Sequence, residues 1–332
     1  MSGAAKGAST SPPISPPTSP PVGRFAPSPS GRLHLGNART ALLSWLQIRA
    51  AGGRYVMRVE DLDPQRSKAE HEQRQLADLR WLGLDWDEGP DVGGPRGPYR
   101  QSERHALYVA ALERLDTYPC TCTRRELRAQ IEVDAPHGVE PVYAGTCREG
   151  PTHPERPASS RWRIPASAPV CFVDRILGER CQDIAREVGD FVLRRADHGD
   201  GGAWAYQLAV VVDDAAMGVS EVLRGADLLD STPRQILLQR SLGLATPRYA
   251  HAPLIVGPDG DKLSKRHGAP DLSALRERGV DPRLVVAALA RSAGLLGDHP
   301  GLPRCTAEEL RASFELSQIP REPGVLDVSA LG

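Results

Sequence analysis

The chain has 332 residues, enough for one large domain or two ordinary ones with a substantial core. Charged residues make up 25% and hydrophobic ones 40%, and the formal net charge is −1, so a nucleic-acid ligand would have to meet a local patch of Lys and Arg rather than a global basic excess. No apolar run reaches the ~18 residues of a spanning helix, and six cysteines in an intracellular chain of this size point to metal or buried thiols rather than a disulfide framework.

Residues 1–21 are rich in Ser, Pro, Gly and Ala and lack the apolar middle of a signal peptide, so a disordered extension of a cytoplasmic protein is expected. Order begins near Val22. Gly23 to Pro27 reads as a strand ending in a Pro-rich turn. From Gly36 to Ala51, the apolar residues Ala38, Leu42, Leu43, Trp45, Leu46 and Ile48 recur at helical spacing. Arg54–Glu60 reads as a second strand, and Ser67–Leu82 as a helix bounded by Gly83. Strand, loop, helix, strand, helix favours an α/β fold with a parallel sheet, in which ligands bind at the carboxyl ends of the strands. Tyr118–Ile164, with several prolines, clustered cysteines and mixed charges, reads as an inserted subdomain. Phe191–Arg194 and Leu208–Val212 are expected to resume the sheet, and the chain after Arg266 is mostly helical in character.

Two stretches carry phosphate chemistry. Arg24-Phe25-Ala26-Pro27-Ser28-Pro29-Ser30-Gly31-Arg32-Leu33-His34-Leu35-Gly36-Asn37 is a small-residue loop leaving a strand and entering a helix. Backbone N–H groups in such a loop approach phosphates closely beside the positive end of the helix dipole, and an imidazole at His34 can donate to phosphate oxygens as charge develops. Lys262-Leu263-Ser264-Lys265-Arg266, after the turn at Gly257–Asp261, puts two lysines on a loop that can close over a departing pyrophosphate. Either stretch alone is more often a turn or a solvated face; the two together are far more specific. A third constellation is Cys120-Thr121-Cys122 with Cys147, three soft thiolates that suit tetrahedral zinc once a fourth ligand is found. Cys171, Cys181 and Cys305 have no ligand-like spacing and are expected to be buried or incidental.

The first stretch resembles the HIGH motif of class I aminoacyl-tRNA synthetases in the wording of the glutamyl and glutaminyl branch. The second resembles the KMSKS loop, with Leu263 in place of Met and Arg266 in place of the final Ser. Arg58–Asp63 and Gly218–Leu229 look like further blocks of that family in the same order, so the resemblance spans Arg24 to about Gly268. It implies a Rossmann-like, doubly wound parallel sheet. The catalytic domain would occupy 22–117 and 165–268, interrupted by a zinc-binding insertion at 118–164 and followed by a short helical region at 269–332. The resemblance assigns catalysis to His34, Lys262 and Lys265, and ATP contacts to Ser30, Gly31, His34, Gly36, Asn37 and Lys265, with Mg²⁺ accompanying ATP. It assigns L-glutamate contacts to Arg24, Phe25, Ala26, Pro27, Ser28, Glu60, Tyr206 and Arg224. By that resemblance Arg24 and Arg224 are the candidate carboxylate-binding arginines, Glu60 is expected to face the α-ammonium, and Tyr206 to pack on and hydrogen-bond the substrate. A planar guanidinium suits a carboxylate geometrically.

Two residues compete for the fourth metal position. Tyr143 matches the Cys-x-Cys…Tyr-x3-Cys pattern of one glutamyl-like family, giving Cys120, Cys122, Tyr143 and Cys147, whereas His137 is the chemically more ordinary ligand. Only 66 residues follow Arg266, which leaves little room for the helical anticodon-binding region of an ordinary glutamyl-tRNA synthetase. The chain therefore resembles the truncated glutamyl-Q tRNA(Asp) synthetase family, also in Glu60–Pro64 and Tyr206–Asp214. That family attaches glutamate to queuosine in the anticodon of tRNA(Asp), and its activation step does not need tRNA. A monomer is expected, with Arg124, Arg125 and Arg128 as candidate RNA contacts. An ordinary or shortened glutamyl-tRNA synthetase is the alternative. A non-catalytic RNA- or nucleotide-binding relative is weakened because His34, Lys262 and Lys265 are all present.

Overall fold

A computed structural model describes residues 19–129, 142–196, 203–257, 259–260, 270–297, 303–326 and 328–331. At its centre lies a parallel sheet of four strands: β1 (Val22–Phe25), β2 (Arg54–Met57), a strand at Glu221–Gly225 and one at Arg248–Ala252. In chain order these last two are β8 and β9, and the spatial order is β2-β1-β8-β9. Helix α1 (Leu35–Ala50) crosses from β1 to β2, and α2 (Ala69–Trp81) follows β2.

Alternation along the strands supplies both faces of the sheet with apolar side chains. Phe25, Tyr55 and Met57 pack in one cluster with α1, α2 and later helices, whereas Val22, Val56, Val222 and Tyr249 face a second cluster. Helix α1 is buried almost all round, as expected of a helix pressed between a sheet and other helices. Its approach to β1 requires glycine at Gly23, where a built Cβ would lie 2.3 Å from Ile48 Cγ1.

Helix α3 (His105–Leu112) leads into an antiparallel layer formed by β3 (Thr117–Cys120), β4 (Ser159–Trp162) and β7 (Val192–Arg194), with α4 (Arg124–Arg128) between β3 and β4. Strand β7 therefore pairs with β4 and not with the parallel sheet, and the antiparallel layer runs past the boundary expected at 164. Trp162 and Phe191 meet edge to face, with ring centroids 5.4 Å apart, and tie these strands to the second core cluster. Between β4 and β7 stand the hairpin β5 (Pro169–Asp174) and β6 (Gly178–Asp183) and the short α5 (Ile184–Glu187).

Leu208–Val212 does not form the expected strand. It lies in helix α6 (Tyr206–Ala216), with Leu208 to Asp214 all buried. A short apolar run buried on every side has the same pattern whether strand or helix, so periodicity could not separate the two. Two of the cysteines expected to be buried or incidental are neither. Cys171 and Cys181 face each other across the β5–β6 hairpin and form a disulfide on its exposed side. Cys305 is free and partly buried against the first cluster.

After α7 (Thr232–Ser241), β9 and β10 (Ile255–Val256), the described chain resumes with α8 (Leu272–Glu277), α9 (Pro282–Ser292) and α10 (Ala307–Arg311). Among the described residues of this region β11 (Gly324–Val325) returns to pair in parallel with β10. Among the described residues no helix is long and apolar enough to cross a membrane.

Candidate active site

The loop from β1 to α1 is fixed from several directions. Gln75 of α2 donates from Nε2 to the carbonyls of Ser28 and Gly31, at 3.1 and 2.7 Å, and Lys68 N–H donates to Pro29 O at 3.0 Å. Beyond β2 the chain keeps parallel bonding to this loop, with Arg58 N–H on Phe25 O and Glu60 N–H on Pro27 O, both at 3.0 Å. His34 occupies the cap position of α1, and its exposed ring lies over Gly36, where a built Cβ would be 3.2 Å from Nδ1. The first turn of α1 holds no acidic residue and no side-chain cap hydrogen bond, an end that suits an anionic ligand. Ser30 is exposed here, and Gly31, Gly36 and Asn37 are partly so.

Lys262 and Lys265 lie outside the described residues. The chain re-emerges at Pro270 beside the loop, where Leu272 N–H donates to Leu33 O at 2.9 Å and Asp271 pairs with Arg32 at 3.4 Å.

The expected glutamate contacts gather at the carboxyl ends of the central strands. Arg24 lies in β1 and is buried; Phe25 and Pro27 are buried, Ala26 is partly exposed and Ser28 exposed. Arg24 donates from Nε to both oxygens of Asp214, at 3.2 and 3.3 Å. Arg58, with no exposed surface, reaches Asp214 at 2.6 Å and Glu60 at 3.0 Å. Glu60 and Arg24 are thus linked through Arg58 and Asp214. Burial alone would raise the Asp214 carboxyl, but Arg24 and Arg58 outweigh it and hold the group below the usual carboxylate range. Glu60 goes the other way, because burial raises it more than Arg58 and Arg24 lower it.

Arg224 of β8 completes the cluster. It directs Nη1 at the Tyr206 hydroxyl, 3.3 Å away, while Nη2 meets Thr232 Oγ1 at 2.6 Å and Leu228 O at 3.3 Å. Its Nε donates to His251 Nε2 at 3.0 Å, and His251 Nδ1 stands 2.6 Å from Asp174 of β5. Burial raises the Tyr206 phenol, which therefore stays protonated at neutral pH.

Several of these groups were not given roles from the sequence. Asp213 and Asp214 hold Arg104, Arg58 and Arg24, at distances down to 2.6 Å. Two adjacent acids closing the apolar run Leu208–Val212 were the available signal, since a buried charge demands a partner. Asp174 and His251 are 77 residues apart, and nothing in the local sequence joins them.

The three thiols meet at the end of β3. The Sγ atoms of Cys120, Cys122 and Cys147 all lie within 4.8 Å of one another, so the cluster can hold a metal ion. Tyr143 Oη sits among them, 3.5 Å from Cys120 Sγ and 3.9 Å from Cys122 Sγ, and accepts the Cys147 N–H at 2.8 Å. His137 lies outside the described residues. Burial acts against ionising Cys147, but N–H donors at Thr152 and Thr121 bring its pKa down to about 6. Burial and the neighbouring thiols push Cys122 up to about 12. Crowded thiols that resist joint ionisation are the donor set a soft divalent cation neutralises. The Arg161 guanidinium stacks 3.7 Å over the Tyr143 ring and fixes its plane.

Residues 22–330 match the family model described as tRNA synthetases class I (E and Q), catalytic domain. The chain belongs to that family. It is 53% identical over 315 residues to a glutamyl-Q tRNA(Asp) synthetase of Symbiobacterium thermophilum, covering 91% of this chain and 94% of that one. It is 49% identical over 287 residues to a glutamate–tRNA ligase 2 of Alkalilimnicola ehrlichii, covering 83% of this chain but 58% of that one. Among solved structures, a glutamate-tRNA synthetase from Elizabethkingia anophelis superposes with a TM-score of 0.81 at 28% identity, over 94% of this chain and 69% of that chain. The protein is thus a class I synthetase, a ligase whose family uses ATP with Mg²⁺, and its α/β core is the class I catalytic fold.

Proposed function

We propose that the chain activates glutamate as glutamyl-adenylate without tRNA, and then transfers it to queuosine in the anticodon of tRNA(Asp). The single observation that carries the activation step is the convergence of Arg24, Glu60, Tyr206 and Arg224 on the end of β1, the strand whose loop enters α1. Two guanidinium groups suit the carboxylates of glutamate, Glu60 suits its ammonium, and the α1 terminus suits the phosphates of ATP. The choice of acceptor is supported by the 53% identity to the Symbiobacterium relative along 94% of that protein.

In the first step the α-carboxylate attacks the α-phosphorus of ATP and pyrophosphate leaves. His34, Lys265 and Lys262 stabilise the charge that develops on the phosphates, a contribution made by positioned donors rather than covalent chemistry. Ser30, Gly31, Gly36 and Asn37 line the nucleotide's approach, and Phe25, Ala26, Pro27 and Ser28 form the wall beside the amino acid. Mg²⁺ bound with ATP offsets polyphosphate charge. In the second step a hydroxyl of the nucleoside attacks the mixed anhydride and AMP leaves. Zinc on Cys120, Cys122, Tyr143 and Cys147 is structural in this reading, because four protein ligands leave no open position. Arg124, Arg125 and Arg128 are exposed on or beside the capped helix α4 and are candidate RNA contacts.

The alternative, charging of tRNA(Glu) at its 3′ end, is favoured by the 49% identity to the Alkalilimnicola ligase. Glutamate-dependent exchange of pyrophosphate into ATP, run without RNA, tests the activation step. Exchange with glutamate supports it; no exchange with glutamate under any condition contradicts it.

A further inference from the structure

Arg224 is 4% exposed, and most of its donors are committed to the protein: Nη2 to Thr232 and Leu228, and Nε to His251. That leaves the Nη1 edge, beside the Tyr206 hydroxyl, for a ligand. His251 has no exposed surface. Its Nδ1 faces the Asp174 carboxylate, whose other oxygen accepts the N–H groups of Ile176 at 3.0 Å, Leu177 at 2.8 Å and His251 itself at 3.2 Å. Asp174 carries no proton to give, so the imidazole proton must sit on Nδ1, and Nε2 is left as an acceptor with Arg224 Nε and Thr232 Oγ1 each 3.0 Å away. Burial lowers the proton affinity of His251 more than Asp174 raises it, in keeping with a neutral ring.

We propose that Asp174 and His251 are positioning residues that fix the His251 tautomer and thereby hold the Arg224 guanidinium where its Nη1 edge meets the carboxylate of the amino-acid substrate. The two act through Arg224 and do not touch the reactants themselves. A ring protonated on Nε2 would set an N–H against the Arg224 N–H, and the guanidinium would lose its place. This inference rests on reading Arg224 as a carboxylate-binding residue, and the test separates the two.

Asp174→Asn is the decisive variant. The Asn carbonyl oxygen keeps the three backbone bonds, while its amide N–H₂ faces Nδ1 and drives the imidazole proton to Nε2. In glutamate-dependent pyrophosphate exchange, the KM for glutamate should rise about 10- to 100-fold, the loss of one charge-assisted bond, with kcat and the KM for ATP held within a few fold. His251→Gln, whose amide oxygen can accept from Arg224 Nε, should restore near-native KM, and adding Asp174→Asn to it should cost little more. ¹⁵N spectra of the histidine ring supply a readout apart from activity: the N–H should be on Nδ1 in the native protein and on Nε2 in Asp174→Asn.

An unchanged glutamate KM in Asp174→Asn, where Arg224→Gln raises it, overturns the positioning role and leaves the reading of Arg224 standing. A native glutamate KM in Arg224→Gln overturns both. Equal rises for glutamate and ATP in Asp174→Asn mark a general loss of structure and also overturn the proposal.

Discussion

Arg58 and Asp214 form a buried pair 2.6 Å apart, and Asp214 at the same time holds Arg24 at 3.2 Å. The carboxylate of α6 therefore positions one arginine from the end of β1 and another just beyond β2, joining the helix to the two central strands where the site is built. Replacing it with Ala strips Arg24 of its carboxylate and leaves Arg58 with Glu60, 3.0 Å away, as its nearest remaining anion. We expect Asp214→Ala to lose about 3–5 kcal/mol in urea unfolding, the penalty for breaking a buried ion pair from one side, and to raise the glutamate KM because Arg24 is freed. Stability within about 0.5 kcal/mol of native would show that solvent reaches these arginines more readily than their burial implies.

The acid side of the stability profile follows from the same groups. Asp214 has a lowered proton affinity in the fold, so its contribution is present above the ordinary Asp range, near 3.8, and is lost as pH falls through the lower folded value. His251 has the same sign in a higher window. Burial lowers its folded value below 6.5, so the unfolded chain binds the proton first and stability declines as pH drops below that point. The groups facing it are Asp174, which opposes this shift, and Arg224 and Arg24, which reinforce it. Unfolding of the native protein should therefore lose stability between pH 7 and 5 more steeply than that of His251→Gln. Parallel slopes would contradict the neutral buried ring.

Gly23 marks where α1 and β1 touch. A methyl there would press on Ile48, which is 1% exposed and has no room to swing away. Gly23→Ala should cost about 1–3 kcal/mol, with part recovered by adding Ile48→Val. Equal losses in the single and double variants would place the strain elsewhere.

The thiol cluster and the phosphate loop should separate cleanly. Cys122→Ser should reduce bound zinc from an expected one per chain and lower the melting temperature. Lys265→Ala should abolish activation while leaving zinc content intact. Loss of zinc in Lys265→Ala would undermine the division between the two regions.

The parts of this molecule that were legible in the sequence were those encoded locally. The β1–α1–β2 opening showed in its periodicity, and the cysteine trio in its spacing. The site's long-range supports did not show. Asp174 and His251 come together only because β5 crosses beside β9. Helix α6 was hidden by its own burial, since an apolar run enclosed on all sides loses the period that would identify it. The Cys171–Cys181 bond depends on hairpin register, which the spacing of the two cysteines does not specify by itself.

The acceptor of the activated glutamate is read directly from which tRNA becomes labelled. Labelled glutamate and ATP should be incubated with tRNA(Asp) that carries queuosine, with tRNA(Asp) lacking it, and with tRNA(Glu). Label should appear only on the queuosine-containing tRNA(Asp) and resist a nuclease that removes the 3′ end. Label at the 3′ end of tRNA(Glu) would contradict the claim.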